Sequence, residues 1–105
     1  MYTYIMDIST LQQTPSPESL ASEHLRAVWH DLHGDWHAAH RIVQQMDDVH
    51  AMWIHAYLHR KEPDLSNARY WYRSAGRPFP EGQTYAEEAA VILKSLSGEQ
   101  GTPNV

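Results

Sequence analysis

His55-Ala-Tyr-Leu-His-Arg-Lys-Glu-Pro-Asp-Leu-Ser-Asn-Ala-Arg-Tyr-Trp-Tyr-Arg-Ser-Ala-Gly-Arg77 is the stretch that decides how this chain is read. Proline cannot continue a helix, and an aspartate just after it can accept from the free N–H groups of the next one. The stretch therefore predicts two helices joined by a tight turn. The first, about Val49 to Glu62, is apolar over a wide arc through Met52, Trp53, Ile54, Ala56, Tyr57 and Leu58, which marks it as central in the domain. In the second, Leu65, Ala68, Trp71, Tyr72 and Ala75 recur at helical spacing as an inward stripe, and Gly76 is a natural stop.

Working outward, Ser16-Pro17-Glu18 reads as a serine cap with proline in the first turn. A helix is expected to follow, with Leu20, Ala21, Leu25, Val28, Trp29 and Leu32 facing inward until Gly34. Asp35 caps the next helix, whose inner face carries Trp36, Ala39, Val43 and Met46. On the far side, Arg77-Pro-Phe-Pro-Glu-Gly82 is a stiff connector. Thr84 with Glu87 forms a capping box for a last helix, with Tyr85, Ala89, Ile92, Leu93 and Leu96 inward and an end near Gly98.

The expected architecture is all-α: a single-domain bundle of about five helices, two helix-turn-helix hairpins plus a closing helix. The domain spans residues 16–98, and residues 99–105 form a flexible tail. Residues 1–15, where Tyr2, Tyr4, Met6 and Ile8 alternate, are read as an extended arm. That arm packs on the helices or pairs with a second copy in a homodimer, with a short extra helix as the other reading.

Shifting the chain by 29 aligns Ala27 with Ala56, His30 with His59, Asp35 with Asp64, and Ala39 with Ala68. Small alanines let two helices approach, and the aspartates fall where each second helix needs a cap. Gly34-Asp35-Trp36-His37-Ala38-Ala39 resembles the turn of tetratricopeptide and Sel1-like hairpins, which implies a partner-binding surface. The segment from Trp36 to Arg77, with its HAYLHRKE-x-D-x-x-NA-x-YWY pattern, is also similar to a family of small helical proteins of unassigned function. The chain departs from that family at Pro63, where a glycine is usual.

The chain has 105 residues, no cysteine and a net charge of −5. Disulfides and thiolate chemistry are excluded, and general nucleic-acid binding and a membrane span are not expected. A cytoplasmic protein without a cofactor is the expectation. Against this acidic background, residues 60–77 hold five basic side chains and two acidic ones, a local +3, while the remainder stands at −8. The leading expectation is a non-enzymatic binding module. Its groove between the third and fourth helices would present His55, His59, Arg60, Asn67, Tyr70, Arg73 and Arg77 to an anionic small ligand or an acidic protein segment.

The alternative is a metal-dependent or histidine-assisted enzyme using His55 and His59, four apart on one helix face, with Glu62 as a possible third metal ligand. Glu62 lies about 10 Å along the axis from His55. The blander reading makes one of these histidines a hydrogen-bonded interface residue and the other solvated. Of His30, His33, His37 and His40, the sequence makes His33 and His37 solvated turn residues and His40 a core histidine. No nucleophile elbow, carboxylate dyad or glycine-rich phosphate loop is present.

Overall fold

The structure, a computed structural model, describes residues 6–101. Six α-helices follow in order: α1 (Ile8–Gln13), α2 (Glu23–Leu32), α3 (Trp36–Val43), α4 (Val49–Lys61), α5 (Leu65–Ser74) and α6 (Tyr85–Gly101). A 3₁₀ turn at Pro17–Ser19 precedes α2. No strand occurs among the described residues. No described helix is long and apolar enough to cross a membrane.

Helix starts are set by short polar side chains that accept from otherwise unpaired N–H groups. Asp7, Asp35, Asp48 and Asp64 cap α1, α3, α4 and α5, and Ser22 caps α2. Thr84 and Glu87 exchange bonds of 2.9 and 3.0 Å at the head of α6, as a capping box should. Two helix ends close identically. Gly34 (φ 85°) and Gly76 (φ 72°) sit in the left-handed region, and the following N–H reaches back across the last turn, Asp35 to the His30 carbonyl and Arg77 to the Tyr72 carbonyl. At the end of α4 the Asp64 N–H reaches the His59 carbonyl at 2.7 Å in the same pattern, with Pro63 standing where the other two turns have glycine.

The 29-residue offset is thus a structural one. Ala27, Ala56, Ala39 and Ala68 are all fully buried, where small side chains let α2 and α3, and α4 and α5, pack closely as neighbouring pairs. α4 is the centre of the molecule, touching α2, α3, α5 and α6. Every residue from Trp53 to His59 on it is buried.

Several expectations need correction. The arm of residues 1–15 is not extended throughout. Asp7 caps a helix over Ile8–Gln13, because Leu11 finds a fully buried place on the core with Met6 and Ile8 beside it. Residues 1–5, which carry the first two positions of the alternating pattern, lie outside the described residues. Ser16 caps only the 3₁₀ turn, and α2 starts later, at Glu23. Ala21, Leu65 and Tyr85 are exposed rather than inward, each lying beside a helix start where the packed face has not yet begun. At the other end α6 runs to Gly101, past the expected stop near Gly98, so residues 99–101 belong to it; residues 102–105 lie outside the described residues.

α6 is fastened by a buried carboxylate. Glu88 accepts from the Trp53 indole (3.1 Å), the Tyr72 hydroxyl (2.6 Å) and Arg60 Nε (3.0 Å). A second polar knot ties α2 to α4: Asp31 accepts from the Tyr57 hydroxyl (2.7 Å) and pairs with Lys61 (3.0 Å). Both tyrosine hydroxyls are held well above their ordinary pKa, first by burial and then by the adjacent carboxylate.

Candidate functional site

The seven side chains expected to share one groove go to three places. Arg60 turns inward to Glu88 and to the Gln83 carbonyl, so its charge is consumed by the attachment of α6. His55, His59 and Asn67 meet on one flank of α5, where Tyr70 packs edge-on against Trp71. Arg73 and Arg77 lie on the other flank, together with Arg69. The helical geometry explains the split: Ala68, Tyr72 and Ala75 face the core, and residues one position before and one after them project to opposite sides.

The first flank is built around imidazoles. α3 supplies His40, and α4 supplies His55 and His59, one turn apart. His40 Nε2 stands 3.1 Å from His55 Nε2. One ring nitrogen from each of the three histidines lies within 4.8 Å of the others. Two tryptophans hold the rings: Trp36 stacks on His40 at 4.9 Å and 9°, and Trp71 on His55 at 4.1 Å and 15°. Trp36 is itself fixed by an indole hydrogen bond of 2.7 Å to the Leu58 carbonyl.

His59 Nδ1 lies 2.7 Å from Glu62 Oε1, and its Nε2 lies 3.4 Å from Asn67 Nδ2. His55 and His59 are each 6% exposed, and His40 is half-buried. Burial drives the pKa of His55 down to about 4, with the neighbouring histidines adding to the effect. His40 is lowered for the same leading reason. At neutral pH these two rings are uncharged and hold a lone pair each.

The sequence pointed to His55, His59 and Glu62 as a conceivable ligand set; the structure adds His40 and moves Glu62 to the role of a hydrogen-bond partner for His59. His40 was read as a core histidine from its place on the apolar face of α3. Its signal was the position on the apolar face between Trp36 and Val43, which aims it at α4. The expectation that one of His55 and His59 is solvated does not hold, since α5 covers both. His33 is also more engaged than a solvated turn residue: it stacks on Trp29 at 3.9 Å, and its Nε2 lies 3.1 Å from the Gln12 carbonyl.

The second flank is cationic. Arg69, Arg73 and Arg77 line a shallow cavity of about 240 Å³ whose remaining walls are Tyr72, Pro78 and Phe79. Arg69 Cζ stands over the Phe79 ring, 4.2 Å from its centroid, and Arg77 Cζ over the Trp53 ring at 3.5 Å. Stacking orients a guanidinium through its face and leaves the N–H edge available for a planar acceptor. Among the described residues no carboxylate comes within 4.0 Å of any of these three arginines. No protein-family model, curated protein or solved structure matches the chain.

Proposed function

We propose that this chain is a non-enzymatic binding module that recognises an anionic group, a phosphate or carboxylate on a small ligand or on an acidic segment of a partner. The observation that carries this reading is the cavity shared by Arg69, Arg73 and Arg77. In an acidic molecule, Arg26, Arg60 and Lys61 have each found a carboxylate; among the described residues these three have not, and unlike Arg41 and Lys94 they share one cavity. A guanidinium held by stacking loses little further freedom when it meets a bidentate acceptor, which favours binding at this place over a mobile surface lysine. Tyr70, 53% exposed on the same helix, packs against Trp71 and does not line this cavity.

Arg60 and the histidines are not part of this surface as we draw it. The proposed contacts are narrower than the sequence suggested: Arg73 and Arg77 are kept, Arg69 is added. Calorimetric titration with inorganic phosphate, and with a glutamate-rich peptide as the carboxylate probe, tests the reading. Binding of one of the two probes is expected, weakened at least tenfold by Arg73→Glu and falling with added salt. Affinity for both probes that is unchanged in Arg73→Glu and Arg77→Glu sinks it.

The burial of His55 and His59 favours an ion over a substrate as the occupant of the first flank.

A further inference from the structure

We infer that His40, His55 and His59 form a binding site for a single divalent transition-metal ion of the zinc type. The inference begins with hydrogen-bond arithmetic. A neutral imidazole has one N–H donor and one lone pair. His40 and His55 face each other through Nε2 at 3.1 Å, so one of them must donate to the other, and a nitrogen of His59 stands within 4.8 Å of both. Three bases gathered this closely gain little from one another. An ion that accepts three lone pairs satisfies all of them together.

The dimensions agree. Nitrogens bound to tetrahedral zinc at about 2.0–2.1 Å stand about 3.4 Å apart. The His40–His55 pair is already at that separation within a few tenths of an ångström. The third nitrogen has to approach by at most about 1.4 Å, within reach of a ring rotation about its side-chain bonds. Three nitrogen donors select an ion that prefers imidazole, and select against magnesium and calcium, which take oxygen.

The outer partners match what a metal site requires. Glu62 Oε1 lies 2.7 Å from His59 Nδ1. Accepting from an N–H there, it fixes the tautomer that leaves Nε2 as the ligand atom and makes that nitrogen more basic. Trp36 and Trp71 stack on two of the rings and hold their planes, so little ordering is left to be done on binding. An open cavity of about 400 Å³ adjoins the site: Trp36 and Glu62, which touch His40 and His59, stand in its wall, while the three histidines lie behind them. The fourth coordination position is left to water or to an incoming ligand.

The test uses the full chain without a histidine tag, stripped with chelator and titrated with zinc and, separately, with cobalt. One ion per chain is expected, with visible absorption of tetrahedral cobalt and a change in tryptophan emission, because Trp36 and Trp71 lie against ligand rings. His40→Gln is expected to weaken zinc binding more than 100-fold, and Glu62→Gln by about 10–100-fold. His30→Gln and Arg73→Glu are expected to leave it unchanged. His40 is half-buried and its variant is the decisive one; circular dichroism confirms that it folds, and if His55→Gln unfolds the comparison still stands. Absence of saturable binding, or binding that survives His40→Gln, overturns the site. Failure of the anion reading would appear only with the phosphate and peptide probes, so the two are separable.

Discussion

The two flanks of α5 are made from the same ten-residue helix and do opposite things with water. On one, Asn67 and Trp71 close over His55 and His59, both imidazoles are withdrawn from solvent, and burial holds His55 uncharged at neutral pH. On the other, Arg69 and Arg73 are exposed and Arg77 is half-buried over Trp53, and the three share a cavity. The inner face between them, Ala68, Tyr72 and Ala75, belongs to the core and fixes both at once. A single rotation of about 100° per residue is enough to separate a site suited to a cation from one suited to an anion. The flanks differ in side chains and in what they meet, Asn67 and Trp71 facing the histidines of α4 and Arg69 facing Phe79 of the connector.

The largest effect should come from the residue that supports both flanks together. Glu88→Ala leaves Arg60 buried without its partner and removes the acceptor of Tyr72 and Trp53, for an expected loss of about 3–5 kcal/mol, read from urea unfolding; a loss below about 1 kcal/mol would show that the carboxylate is not what fastens α6. Trp71→Ala should act on the imidazole flank alone, lowering stability by about 2 kcal/mol, less than a fully buried tryptophan because it is part-exposed. It should also bring the His55 pKa back up towards 6.5 in an NMR titration. If His55 still titrates near 4 in that variant, the stacked ring is not what keeps water away.

The same depression makes a pH prediction for metal-free protein. The unfolded chain takes up a proton on His55 near the ordinary value of 6.5, while the folded chain resists until about 4. Between those values the unfolded state binds more protons, so stability falls as the pH is lowered from 6.5 to 4. The lowered pKa of His40 adds in the same direction. Unfolding midpoints of wild type and His55→Gln at pH 7 and pH 4.5 should converge in their pH dependence if His55 is irrelevant, and diverge as described if it is not.

Smaller effects follow on the shared cap and on the cationic flank. Asp64→Ala should cost about 1 kcal/mol by freeing the first turn of α5, and Asp64→Asn should restore most of it. Arg73→Ala should change stability by no more than about 0.5 kcal/mol while reducing binding of the anionic probe. A large stability loss there would show that the arginine serves the fold.

Much of the fold was legible because its punctuation is local. Pro63, Gly34 and Gly76 end helices for reasons that need no neighbour, and Asp35 and Asp64 announce helix starts. The offset that matched His30 with His59 and Asp35 with Asp64 turned out to describe carbonyls and N–H groups that make the same closing bond in two turns. α1 was less legible, since six residues form a helix there only because Leu11 has a place to be buried. The seven-residue groove was misleading for a related reason: nearness in sequence between Arg60 and Arg73 says nothing of α6, which claims Arg60 through Glu88. His40 shows the converse, a ligand candidate brought in by α3 that no spacing on α4 predicts.

Glu88 has a consequence for assembly as well as for stability. An apolar side chain at that position would tolerate α6 sliding by a turn along α4, because hydrophobic contact is indifferent to small changes of register. A carboxylate with three donors waiting for it is not: any other docking strands a charge away from water and leaves Arg60, Tyr72 and Trp53 unmatched. The closing helix therefore has one register in which Glu88 meets all three donors, and the aromatic walls of the cationic flank are set in place by that choice.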